Sequence, residues 1–123
     1  MGSKEIRQFE TGATRNASDH KFDYEGFLSP NVLTAYANYM HKHRMQANGE
    51  LRDSDNWQKG IPVKQYVKSL VRHTIDLWSV YRGNKRACPD DGHDLGLIEL
   101  CCAIMFNVQG LLFELLKGPA EEK

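Results

Sequence analysis

The stretch DLGLIELCCAIMFNVQGLLFELLK, residues 94–117, decides the fold. Leu95, Leu97, Ile98, Leu100, Cys101, Ile104, Met105, Val108, Leu111, Leu112, Leu115 and Leu116 make it apolar around most of a helical circumference. A helix of that kind is expected to be buried on most sides. Asp94 suits the first turn, where a carboxylate meets the positive end of the helix, and Gly118-Pro119 ends the run. The remaining face carries Gly96, Glu99, Ala103, Asn107, Gly110 and Glu114, alternating small and polar residues at heptad-like spacing. Small residues let another helix or a ligand approach closely. Polar residues there need partners, because a buried carboxylate without one is costly.

Working outward, a second helix is expected from Pro62 to a stop at Gly83. Val63, Val67, Leu70, Val71, Thr74, Leu77, Trp78 and Tyr81 read as its buried face. Lys64, Lys68, Arg72 and Asp76 fall four apart as one charged stripe, whose plainest account is a solvated face with an Arg72–Asp76 pair. A first helix opens at Ser29-Pro30, an N-cap followed by a first-turn proline, and runs to about Met45. His41, Lys42, His43 and Arg44 place cations at its C-terminal end. Between these helices, Gln46 to Gly60 is a polar loop of about fifteen residues with an Asn48-Gly49 turn signal. Trp57 within it favours an ordered, working loop. Residues 84–92 form a short polar connection.

The expected class is therefore all-α: three main helices, an irregular N-terminal arm over residues 1–26, a helical domain over 27–118 and a short tail over 119–123. No period-two strand is read in the arm, where Thr11, Gly12, Thr14, Asn16, Ser18 and Asp19 are turn formers. Three helices with one so apolar invite a second copy to complete a bundle, as a dimer or tetramer.

The 123 residues fit one domain, and Lys+Arg and Asp+Glu are both 16. That balance argues against a nucleic-acid polymer or a membrane surface as partner, since both call for surplus positive charge. Cys88, Cys101 and Cys102 are an odd count with an adjacent pair in an apolar run, a poor disulfide framework. No signal peptide or bilayer-spanning stretch is read, and the expected compartment is the cytoplasm.

Three features offer chemistry. His73 and Asp76 lie one turn apart on the second helix. Asp94, Glu99 and Asn107 lie on the third. Asn56, Trp57 and Lys59 share the loop. Antiparallel packing of the second and third helices would bring His73, Asp76, Asp94 and Glu99 around one site, an oxygen-rich set suited to Mg2+ or Mn2+. Each has a plainer reading: a structural histidine, an Arg72 ion pair, a helix N-terminal charge, an interface salt bridge, a packed tryptophan. Gly-rich phosphate loops and His-Glu-x-x-His zinc motifs are not found.

The stretches KFDYEGFLSP (21–30), YMHKHR (39–44), RDSDNWQKGIP (52–62), LVRH (70–73) and ELCCAIMFN (99–107) are distinctive in order and spacing. Together, over roughly residues 11–117, they resemble the phage dATP/dGTP diphosphohydrolase family, related to the all-α, MazG-like nucleoside triphosphate pyrophosphohydrolases. The resemblance implies conversion of a purine deoxynucleoside triphosphate to monophosphate and pyrophosphate, by water attack on the α-phosphorus with Mg2+, Mn2+ being the alternative. Carried over to this chain, it implies Asp76, Asp94, Glu99 and Asn107 as metal ligands, with His73, Asp76 and Glu99 as catalytic residues. Lys59, Lys68 and Arg72 would contact phosphates, Trp57 would stack on the base and Asn56 would read its edge. The chain departs from the related Glu-x-x-Glu…Glu-x-x-Asp pattern, offering His73-x-x-Asp76 and then Asp94 and Glu99, five apart. That departure motivates a rival, a phage protein that sequesters a nucleotide without cleaving it. A structural module using the third helix as an oligomer seam is a third reading.

Overall fold

The computed structural model describes residues 6–16 and 21–118. The chain divides into two compact units, Met1–Pro30 and Asn31–Lys123. The expected tail over 119–123 lies outside the described residues.

In the first unit, β1 (Ile6–Gln8) and β2 (Thr14–Asn16) pair antiparallel, with Arg7 opposite Arg15. Gly12, at φ +91°, supplies the left-handed residue of the connecting turn. This hairpin corrects the irregular-arm expectation: strands of three residues are too short to show a period. A single-turn helix, α1 (Tyr24–Phe27), follows, capped by the Asp23 carboxylate accepting from the Gly26 N–H at 2.9 Å.

The second unit holds the three expected helices. These are α2 (Pro30–Lys42), which begins at the unit boundary, α3 (Val63–Tyr81) and α4 (Leu97–Leu116). Two boundaries differ from the sequence reading. The first helix stops at Lys42 because Arg44 and Met45 turn into a small ribbon, Met45 bridging Leu51 around the Asn48-Gly49 turn. The third starts at Leu97, because Asp94 pairs with Ala87 across a turn instead of entering the helix.

The core sits between α3 and α4, which run antiparallel: Tyr66, early in α3, packs on Gly110, late in α4. Leu100 and Tyr66 are 1% and 2% exposed, and Cys102 and Ala103 complete the buried apolar set. On α4 the face turned inward is the small and polar stripe, with Ala103, Asn107, Gly110 and Glu114 all buried. Ile98 and Leu116 are 75% and 77% exposed, so the expectation that the apolar residues bury this helix on most sides does not hold within one chain.

The buried face of α3 also differs from the expected one. Val67, Val71, Trp78 and Tyr81 are exposed, and the inward line is Val63, Tyr66, Leu70, His73, Leu77 and Val80. Apolar residues occupy two stripes of this helix, and the stripe that meshes with the small residues of α4 wins. Finally, α4 is long and apolar enough to cross a bilayer, contrary to the sequence reading, with 33% of its most apolar stretch buried inside the chain.

Candidate functional site

The loop that carries Trp57 is ordered from α4. Residues Asn56–Lys59 form a 3-10 turn, and Trp57 packs edge-on against Phe113 with ring centroids 4.9 Å apart. The buried Glu114 carboxylate accepts the Ile61 N–H at 3.3 Å and pairs with the Lys117 ammonium at 3.0 Å. A buried carboxylate is tolerable only with such partners. Glu114 therefore ties the entry of α3 to the end of α4.

At the other flank, the Arg44 and Arg52 side chains are fixed by backbone carbonyls. The Arg44 Nε donates to the Arg52 carbonyl at 2.7 Å, and the Arg52 guanidinium donates to the His43 carbonyl at 3.0 Å. His43 stacks on Tyr39, centroids 4.0 Å apart, with its Nδ1 2.8 Å from the Tyr39 carbonyl.

Between these flanks lies a cavity of about 940 Å3, walled by α2, the 44–57 segment, α3 and α4. Its basic lining is His41, His43, Arg44, Arg52, Arg72 and His73; its aromatic lining is Tyr36, Tyr39, Trp57 and Phe106. Asn56, Ser69 and Asn107 add neutral polar groups, against only two carboxylates, Asp53 and Asp90. Drug-sized ligands occupy pockets of about 300–1,000 Å3, so the volume suits a nucleotide-sized molecule. Three arginines against two carboxylates leave one net positive charge, which favours an anion, and the ring faces suit a flat base.

Burial, aided by the neighbouring Arg72 charge and partly offset by Asp76, lowers the His73 pKa. That favours the neutral ring, and its buried Nδ1 has no hydrogen-bond partner among the described residues. A hydrogen-bonded structural histidine would not leave that atom orphaned. Tyr39 is pushed up to about 12, first by burial and then by the charge of Glu99. The Asn107 amide donates back to the Ala103 carbonyl at 2.9 Å. Arg72 reaches Ser69 Oγ at 3.3 Å, and the expected Arg72–Asp76 pair gives way to an Asp76–Arg86 contact at 3.8 Å.

Of the residues expected at the site, the cavity brings together Asn56, Trp57, Arg72, His73 and Asn107. Lys59 and Lys68 are exposed and do not line it, and neither do Asp76, Asp94 and Glu99. Among the described residues those three carboxylates form no common ligand cluster. Glu99 caps α4 by accepting the Gly96 N–H at 2.9 Å and meets His93 Nε2 at 3.0 Å, raising the His93 pKa together with Asp91. Asp94 lies 3.9 Å from Lys85. A Mg2+ site needs free oxygen ligands converging on one point, and this arrangement does not fit it.

Sequence reasoning missed Arg44, Arg52, Tyr36, Tyr39, Ser69 and Phe106. The run His41-Lys42-His43-Arg44 was the available signal, read as helix-terminal charge alone. No protein-family model matches the chain, and neither does any curated protein or solved structure.

Proposed function

We propose that the helical unit binds a purine deoxynucleoside triphosphate in the cavity between α2, α3 and α4, in the cytoplasm. The observation that carries this reading is the lining: three arginines and three histidines beside four aromatic rings, with two carboxylates. Arg44, Arg52 and Arg72 are suited to the phosphates, where guanidinium forks bind bidentately. Trp57, already held edge-on by Phe113, offers a face for stacking, and the neighbouring Asn56 suits a base edge.

The reaction proposed for the bound nucleotide is hydrolysis to monophosphate and pyrophosphate, as the resemblance implies. His73 lines the cavity, its lowered pKa favours the neutral ring, and its buried Nδ1 has no partner among the described residues, so it is the group suited to hold or accept a proton there. Sequestration without turnover is the second reading, and a specific observation favours it: Asp76, Asp94 and Glu99 each face a cation or a backbone N–H of the chain itself.

Incubation with each common nucleoside triphosphate and Mg2+ or Mn2+, with products separated by chromatography, tests the proposal. Monophosphate plus pyrophosphate from a purine deoxynucleotide supports the hydrolase, and His73→Gln, altering a cavity residue, should then lower turnover while the fold stays intact. Retention of the nucleotide without turnover selects sequestration. Absence of both retention and turnover removes the cavity reading.

A further inference from the structure

A second constellation lies outside the cavity, in the connection between α3 and α4. Ala87 and Asp94 pair antiparallel, and the Cys88 N–H donates to the His93 carbonyl at 2.7 Å. Gly92, at φ +79°, lets the chain double back, and its N–H donates to the Cys88 carbonyl at 2.8 Å. Cys88 and His93 are therefore cross-strand neighbours on one small turn, with Asp91 near its tip. The Asp91 carboxylate accepts the His93 backbone N–H at 3.0 Å and meets His93 Nδ1 at 2.6 Å. One ligand atom each from Cys88, Asp91 and His93 lies within 4.8 Å of the other two.

From this geometry we propose that Cys88, Asp91 and His93 form a binding site for a thiophilic divalent transition metal, Zn2+ foremost. Sulfur, imidazole nitrogen and carboxylate oxygen from a six-residue turn are a Zn2+ donor set, and the thiolate discriminates against Mg2+. Metal bonds of about 2.0–2.3 Å place tetrahedral ligand atoms about 3.3–3.7 Å apart, within reach of small side-chain rotations here. The ion sits on Nδ1. The opposite nitrogen, Nε2, faces Glu99 at 3.0 Å, which is the carboxylate–imidazole–metal arrangement that orients a ligand ring. Binding releases the Cys88 thiol proton and leaves the remaining imidazole proton on Nε2. Three protein ligands leave the fourth position to water. The site would fasten the α3–α4 connection to the first turn of α4 through Glu99. It stands independently of the nucleotide reading, because none of its three ligands lines the cavity.

The test uses the full chain, freed of metal with a chelator, then titrated with Zn2+ and separately with Co2+. One ion binds per chain, and Co2+ develops a thiolate-to-metal charge-transfer band in the near ultraviolet. Cys88→Ser removes that band, and Cys88→Ser, His93→Ala and Asp91→Asn each weaken Zn2+ binding at least about tenfold. Cys101→Ser, altering the exposed thiol of α4, changes neither. Glu99 acts as a positioning residue, so Glu99→Gln keeps the band while affinity falls by about tenfold. Circular dichroism confirms that each variant retains its helices. Absence of Zn2+ binding overturns the proposal, as does a band that survives Cys88→Ser. So does Zn2+ affinity indifferent to Cys88→Ser and His93→Ala, or full displacement of Zn2+ by equimolar Mg2+.

Discussion

The α3–α4 seam is closed where Tyr66 sits and open beside Ser69 and His73, one to two turns further along α3, although α4 presents the same small and polar stripe to both. At the closed end, Tyr66 fills the space over Gly110 and meets Phe106 edge-on, centroids 5.8 Å apart. At the open end, α3 offers Ser69 and His73 opposite Ala103 and Asn107, and the cavity occupies the space that no large side chain takes. The difference lies in α3. A large ring meeting a glycine makes a tight core, and Ser69 and His73 meeting Ala103 and Asn107 leave a pocket.

Breaking the closed end should have the largest effect. A Cβ on Gly110 would run into the Tyr66 ring, so Gly110→Ala should destabilise by about 3 kcal/mol, read as a lower midpoint in urea. Glu114→Ala removes the acceptor of the Ile61 N–H and the ion pair of Lys117, for a cost of about 2 kcal/mol. Filling the open end should behave differently. Ser69→Leu adds bulk where there is room, so stability should move by less than about 1 kcal/mol while nucleotide affinity falls about tenfold. The smallest effect sharpens the comparison further. The buried Tyr66 hydroxyl has no hydrogen-bond partner among the described residues, so Tyr66→Phe should be neutral or stabilising by up to about 1 kcal/mol.

The pH response follows the same contrast. Tyr66 and Tyr39 are each raised to about 12, burial being the leading cause. A pKa raised in the folded state contributes stability that is present below pH 10 and lost as pH rises towards 12. Alkaline unfolding should therefore be shallower in Tyr66→Phe. His73 works in the opposite direction at acid pH. Its lowered pKa contributes stability above pH 6.5 that is lost as pH falls below it, and His73→Gln should flatten that slope in thermal melts.

The helices were legible because each carries its own punctuation: Pro30 and Pro62 near the starts, Gly83 and Gly118 just past the ends. Their faces were less so. On α4, counting apolar residues pointed outward, because a close-packed seam needs small residues, and hydrophobicity is a poor guide to shape. On α3, Tyr66 was passed over in favour of Val67 and Val71, and only its fit to Gly110 on a distant stretch of chain decides between the stripes. Five of the expected site residues meet in one cavity. Arg44 and Arg52 join them through the Met45–Leu51 ribbon, a non-local pairing with no period along the sequence. Glu99 and Asp94 were assigned to a metal because of their type, yet a helix cap and a turn claim them.

The most direct test of the central claim is calorimetric titration of the full chain with dATP and dGTP in chelator, beside Arg72→Ala. The account predicts binding of a purine triphosphate in preference to its monophosphate, weakened about tenfold by Arg72→Ala. No binding of either triphosphate, or binding that Arg72→Ala and Ser69→Leu both leave unchanged, would contradict it.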